Sequence, residues 1–367
     1  MTKMNDAVCE VRTATESYPI FAGWGLLGEL GRKMRCAGLG GRANIISDEA
    51  VFSIYGARAA KAVEEAGFAV ASLSLPPGEP SKTIETAIRV YDWLAEHRVE
   101  RDDVIVALGG GVVGDLAGFV AATMLRGLPL VQVPTSLVAM VDASIGGKVA
   151  VNHPQGKNII GAFYQPRLVL ADVETLTTLP RREFISGWSE VIKHGLILDP
   201  QLTQFLEGHA EQLIGLEPED VTRAVARSAA IKAQVVTADE KERGRRIILN
   251  YGHTIAHGLE TATHYQRFLH GEAIAIGMTG AALISHRLGL VPEELVARQQ
   301  ALLRRFGLPT ACSNVEVEAV LRAMELDKKV RGQAVRWVLL AGLGEAVIRH
   351  DVPPEMARTI IEELIAA

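Results

Sequence analysis

Residues 250–272 read NYGHTIAHGLETATHYQRFLHGE and hold four histidines, His253, His257, His264 and His270, of the ten in the chain. On a helix, His253 and His257 are four apart, share a face and could both reach one ion. His270 opens a second helical pattern, FLHGEAIAIGM, from which it can turn back toward the first. A carboxylate would complete the ligand set. Glu190 in SGWSEVIKHG is the candidate, because with Lys193 and His194 it interrupts a helix whose other residues ask for burial. HTIAH lacks the glutamate of the HExxH pattern, so metalloprotease chemistry by that route is unsupported. Spacing alone leaves a metal site and a set of structural histidines both open.

A second constellation lies in VIVALGGGVVGDLAGFVAA, where Gly109, Gly111 and Gly114 stand in GxGxxG spacing between a strand pattern and a helix pattern. Glycines there let the backbone approach a pyrophosphate, and the helix N-terminus favours its charge. The motif is irregular. The next strand ends in QVPTS with no carboxylate to read a ribose, which leaves Asp48, after ANIIS and well upstream, for that role. The competing reading is a tight turn with no ligand. Residues 134–161, PTSLVAMVDASIGGKVAVNHPQGKNIIG, add Asp142, Lys148, Lys157 and Asn158 in glycine-punctuated polar segments. Ammonium groups beside free backbone N–H donors suit phosphate or carboxylate recognition, though solvated lysines on two surface loops would look the same.

These residues need a scaffold. Through about residue 175, short apolar runs alternate with helix-length segments: ANIIS, a helix through AVFSIYGARAAKAVEEAG, FAVASLSL, a helix through TIETAIRVYDWLAEH, VIVAL, a helix through LAGFVAATML, and LPLVQVP. That order implies an α/β fold with a parallel sheet between helices, and a ligand crevice at the strands' carboxyl ends. From about residue 180 the patterns become long and helical, with only AVRWVLLAG and EAVIRHDV strand-like. The expectation is a nucleotide-binding α/β domain at 1–177 and a mainly α-helical metal- and substrate-binding domain at 178–367, with the substrate cleft between them.

Composition narrows the partners. A chain of 367 residues, 48% hydrophobic and 22% charged, is ordinary globular material for two domains or one large unit. A net charge of −5 gives no basic field for nucleic acid, so any anion must be met by local Lys and Arg. Cys9, Cys36 and Cys312 are odd in number and far apart, which argues against a disulfide framework and a thiolate metal site. MTKMNDAVCEVRTATESYPI has no apolar signal core, and no apolar run is long enough to span a bilayer. A soluble, cytoplasmic protein without membrane contact is expected.

Taken together, GGGVVGDLAGFVAA, VPTSLVAMVDASIGGKVAVN, GKNIIGAFYQP, TLPRREFISGWSEVIKHG, DEKERGRRIILNYGHTIAHGLE and HGEAIAIGM occur in one order. That series resembles the 3-dehydroquinate synthase family, from about Asp48 to the DKK at 327–329. The resemblance implies an NAD-binding α/β domain, a helical metal-binding domain and a homodimer. It implies a lyase of the shikimate pathway acting on a small sugar-acid phosphate, 3-deoxy-D-arabino-heptulosonate 7-phosphate. In that chemistry NAD transiently oxidises a hydroxyl, the resulting ketone allows phosphate to leave, the hydride is returned, and the opened ring closes again by an aldol step. NAD is regenerated each turn.

By the same resemblance the metal, Zn2+ or Co2+, is held by Glu190, His253 and His270, while His257 faces substrate. Arg126, Lys148, Lys157, Asn158, Lys193, Lys232, Arg246 and Asn250 would surround the substrate's anionic ends, with Arg126 reaching across the dimer. Asp142 and Glu242, with His257, would contact substrate or organise those clamps, and one of Lys328 and Lys329 would join them. Asp48, Glu79, Lys82, Gly111, Gly114, Asp115, Thr135 and Ser136 are implied for NAD, with Lys148 and Lys157 shared. The chain departs from the family's usual GGKTGVN at Val149 and Ala150, from GHTIGHAIE at Ala256 and Gly258, and from PTTL at Ser136. None of these removes a charged or metal-ligating residue. Three other readings remain: a sugar-phosphate cyclase acting on sedoheptulose 7-phosphate or glucose 6-phosphate, a glycerol-dehydrogenase-like oxidoreductase, and a sensor without activity. Release of phosphate, net NADH and neither, respectively, would tell the three apart.

Overall fold

In the computed structural model, residues 6–14, 16–331 and 335–366 are described, with the backbone alone for 325–331. The chain forms two compact units, Met1–Leu179 with Val221–Lys241, and Pro180–Asp220 with Glu242–Ala367. Along the first unit run β1 (Cys9–Arg12), β2 (Ser17–Gly23), α1 (Leu30–Cys36), β3 (Arg42–Asp48), α2 (Glu49–Val51), α3 (Ala57–Glu65), β4 (Ala69–Leu75) and α4 (Ile84–Glu96). They are followed by β5 (Val104–Gly109), α5 (Gly111–Thr123), β6 (Leu130–Pro134), β7 (Lys148–His153), β8 (Gly156–Phe163) and β9 (Leu168–Asp172). Seven strands make one sheet in the order β1-β2-β9-β6-β5-β3-β4. All its pairs are parallel except the β1–β2 hairpin.

Both faces of this sheet are covered, and β5 shows why. Val104, Val106 and Leu108 pack with α1 and α3 on one side, while Ile105 and Ala107 pack with α4 and α5 on the other. Each fully buried branched side chain contributes about 1.5–3 kcal/mol. An exposed ion pair such as Lys61–Glu65 contributes about 0–1 kcal/mol, so burial holds these layers together. The helix expected from AVFSIYGARAAKAVEEAG is α2 and α3 joined through a wider, π-type turn at Phe52–Gly56.

Several elements differ from the sequence expectation. Residues 148–163 are not two loops. They form the antiparallel hairpin β7–β8, which covers α5 so closely that a side chain at Gly118 would meet Val149. β1, β2 and β9 were not expected as strands. The chain next forms α6 (Arg181–Leu198), α7 (Pro200–Gly208), α8 (Ala210–Ile214) and α9 (Pro218–Ala238). An uninterrupted helical unit from 178 onward is corrected here. From α9, Ala229, Ala233 and Val236 pack on Tyr18, Ile20 and Val169 of the sheet, so residues 221–241 belong with the first unit.

The second unit continues with α10 (His253–Ala262), α11 (His270–Arg287), α12 (Glu293–Arg305) and α13 (Val317–Arg331). A hairpin of β10 (Trp337–Gly342) and β11 (Glu345–Arg349) and then α14 (Pro354–Ala366) complete it. α11 is its central helix, buried along most of its length. Among the described residues no helix is long and apolar enough to cross a membrane.

Candidate functional site

In the second unit, two glycines on α11 let neighbouring backbones come within side-chain distance. A Cβ at Gly271 would overlap the Ser186 carbonyl of α6, and one at Gly277 would overlap the Gly252 carbonyl that precedes α10. The Gly271 N–H also donates to Ser186 Oγ at 3.1 Å. These two contacts bring the first residue of α11, His270, together with Glu190 of α6 and His253 of α10. Glu190 Oε1 lies 3.8 Å from His270 Nε2 and 4.0 Å from His253 Nε2. One ligand atom from each residue lies within 4.8 Å of the others, which suits a single cation.

The chemistry of the set also fits. Glu190 is fully buried, and neither of its oxygens receives a hydrogen bond of normal geometry, although Lys193 Nζ forms an ion pair with Oε2. His270 Nδ1 faces Glu260 Oε1 at 3.1 Å, and His253 Nδ1 faces the Tyr251 carbonyl at 3.3 Å. A carbonyl only accepts, so His253 carries its proton on Nδ1 and offers Nε2 as a lone pair. Two imidazoles and a carboxylate are the donor set of an open, catalytic-type divalent cation site. His257 is exposed and stands edge-on to His253, 5.4 Å between ring centres. Glu260 did not emerge from the sequence reading, yet it follows His253 and His257 on one face of α10.

The same unit pairs Asn250 Nδ2 with Glu242 Oε1 at 2.7 Å, and Arg246 is buried in the short turn between them. Lys193 is buried on α6 beside Glu190. Lys328 and Lys329 lie on α13, but their side chains are outside the described residues.

In the first unit the parallel order places the carboxyl ends of β3, β5 and β6 side by side. That end gathers Asp48, the Gly109–Gly111 turn, and Thr135 with Ser136. The alternation of strand and helix patterns carries the expectation of a crevice at the carboxyl ends, and in the structure the strand order reverses between β3 and β5. Asp48 uses one oxygen to cap α2 through the Val51 N–H at 2.9 Å. Gly110 is extended at the start of α5, and Thr135 donates its N–H to the Gly109 carbonyl at 3.0 Å. A Cβ at Gly114 would lie 2.8 Å from Gln132 Oε1, so that glycine also serves helix–sheet packing.

Beside this turn Lys82, only 4% exposed, reaches Asp115 Oδ2 and Asn158 Oδ1, both at 2.5 Å. Burial pushes the Asp115 carboxyl above its ordinary range, and the Lys82 charge opposes that rise. Glu79 receives Asn152 Nδ2 at 2.7 Å and forms an ion pair with Lys157 at 3.6 Å. Asn152, absent from the expected residues, ties the hairpin to the 79–83 segment through its own N–H to the Lys82 carbonyl at 2.8 Å. Its signal was its place in KVAVN. Lys232 on α9 forms an ion pair with Asp142, a pairing that exists because α9 returns to this unit. Lys148 and Arg126 are exposed, the latter in a turn where Leu125 and Arg126 both have positive φ.

The family model described as 3-dehydroquinate synthase N-terminal matches residues 72–186, and that described as 3-dehydroquinate synthase C-terminal matches 187–330. The chain belongs to the 3-dehydroquinate synthase family. A 3-dehydroquinate synthase of Nostoc punctiforme is 47% identical over 359 residues, covering 97% of this chain and 99% of that one. Among solved structures, a 2-deoxy-scyllo-inosose synthase complexed with carbaglucose-6-phosphate, NAD+ and Co2+ aligns with a TM-score of 0.88 at 28% identity, covering 97% of this chain and 100% of that chain. The 2-epi-5-epi-valiolone synthase of Streptomyces hygroscopicus, with NAD+ and Zn2+ bound, also gives 0.88 at 28%, covering 96% and 98%. These neighbours share the parallel-sheet α/β and helical architecture described above.

Proposed function

We propose that this chain is a carbon–oxygen lyase that converts 3-deoxy-D-arabino-heptulosonate 7-phosphate to 3-dehydroquinate and phosphate, using NAD and a divalent cation. The observation that carries this is the convergence of Glu190, His253 and His270 in a chain 47% identical to a 3-dehydroquinate synthase over nearly its full length. The cyclases that take other sugar phosphates are more distant, at 28%.

When bound, NAD supplies reversible hydride exchange and the cation, Zn2+ or Co2+, supplies polarisation of the hydroxyl oxygen. Glu190, His253 and His270 would hold the cation. Asp48, Glu79, Lys82, Gly111, Gly114, Asp115, Thr135 and Ser136 hold the dinucleotide. Support for this comes from the shared carboxyl end of β3, β5 and β6 and from the adjacent Lys82–Asp115 pair.

Arg126, Lys148, Lys157, Asn158, Lys193, Lys232, Arg246 and Asn250 supply the cations and amides for the substrate's phosphate and carboxylate. Asp142 and Glu242 organise these clamps, since each already fixes one of them, Lys232 and Asn250. Such prearranged donors stabilise developing charge without having to reorganise. His257, exposed beside His253, contacts substrate and moves a proton at its ring nitrogen.

The protein works as a cytoplasmic homodimer. β8 leaves Ile159 60% and Phe163 46% exposed, and Gly127 of the Arg126 turn packs near the neighbouring Tyr164. The reading is tested by incubating purified protein with the heptulosonate phosphate, catalytic NAD+ and Zn2+, following phosphate and dehydroquinate together. Equal release of both, no accumulation of NADH and loss on chelation are expected. Silence with this substrate and phosphate release from sedoheptulose 7-phosphate would overturn the substrate assignment.

A further inference from the structure

We propose that Glu260 is a positioning residue for the cation site, acting through His270; this rests on the metal-dependent reading above. Glu260 is 6% exposed on α10, and its Oε1 lies 3.1 Å from His270 Nδ1. The His270 side chain is 39% exposed, so little packing limits rotation of its ring. An ionised carboxylate only accepts, so it fixes hydrogen on Nδ1 and leaves the Nε2 lone pair facing Glu190 Oε1, 3.8 Å away.

The two histidines are therefore supported unequally. His253 has a neutral backbone acceptor, the Tyr251 carbonyl, at 3.3 Å, and no side-chain substitution removes it. His270 has an anion, which both orients the ring and increases electron density at Nε2. The backbone role of Glu260 is separate: its carbonyl receives the Tyr265 N–H at 2.8 Å, and that bond survives replacement of the side chain.

The test measures Zn2+ and Co2+ affinity by competition with a chromophoric chelator, together with the Co2+ visible spectrum and the melting of metal-free protein. Parent, Glu260→Ala and Glu260→Gln are compared. Glu260→Ala is expected to bind about 10- to 100-fold more weakly, with an altered Co2+ band and unchanged metal-free melting. Glu260→Gln, whose amide oxygen still accepts from Nδ1, is expected to lose less. Parent-like affinity in both variants would overturn the proposal alone. So would weaker binding confined to Glu260→Ala with a matching fall in metal-free melting, which would mark a structural role. A parent that binds neither cation would overturn the functional reading and this proposal together.

Discussion

Replacing Lys82 with Met tests how the first unit tolerates a buried charge next to its glycine turn. Lys82 is 4% exposed and lies 2.5 Å from Asp115, whose side chain keeps 18% of its surface. Removing one member of a buried pair leaves the other uncompensated and typically costs about 3–5 kcal/mol. The residual exposure of Asp115 puts the expectation at the lower end, about 3 kcal/mol. For a unit of this size that is a fall of roughly 6–12 °C in melting temperature. The cost must also depend on pH. Burial already raises the folded-state pKa of Asp115 and Lys82 lowers it, so Lys82→Met raises it further. A carboxyl with a raised folded-state pKa binds a proton in the native state at pH values where the unfolded chain has released it. Its contribution to stability is then favourable at low pH and is lost as pH rises from the unfolded value through the raised one. Urea unfolding at pH 5 and pH 8 should therefore show a larger deficit at pH 8, and Lys82→Met/Asp115→Leu should recover most of it. A deficit below about 1 kcal/mol, or one larger at pH 5, would refute the burial argument.

His270→Ala should lose cation binding and turnover while keeping the parent's circular dichroism; full activity of that variant in metal-free buffer would remove His270 from the ligand set. Cation at 100 times its dissociation constant should stabilise the parent by about 2.7 kcal/mol and leave His270→Ala unmoved, as read by thermal melting. Tyr251 is fully buried and donates to Gln299 Oε1 at 2.7 Å, so Tyr251→Phe strands that acceptor and should cost about 1–3 kcal/mol in urea unfolding. Its cation affinity should not change, because His253 uses the backbone carbonyl of this residue. Phe163→Glu should shift the protein from dimer to monomer in light scattering, and an unchanged mass would move the interface away from β8.

What the sequence made legible follows from which physical constraints are local. The turn after β5 was readable because strand, glycines and helix are contiguous, and the alternation of the two patterns already implied a parallel sheet. The hairpin β7–β8 was not readable as strands, because its glycines and lysines gave KVAVNH and GKNIIGAF the composition of loops. Neither could a linear reading assign α9, since a helix with one apolar face does not say which sheet it will cover. The candidate cation site shows the same division. Helical spacing joined His253 to His257, but spacing acts within one helix, whereas a ligand set needs atoms that converge from several. Glu190 and His270 reach His253 only because Gly271 and Gly277 bring α6 and the α10 entry against α11. From sequence, Glu190 stood out as a carboxylate on a helix that wanted burial, and in the structure that cost is what a cation would offset. Glu260 did not stand out, being one more acid at the end of a helix pattern. Its meaning depends on the His270 ring, which lies ten positions along the chain and 3.1 Å away in the fold.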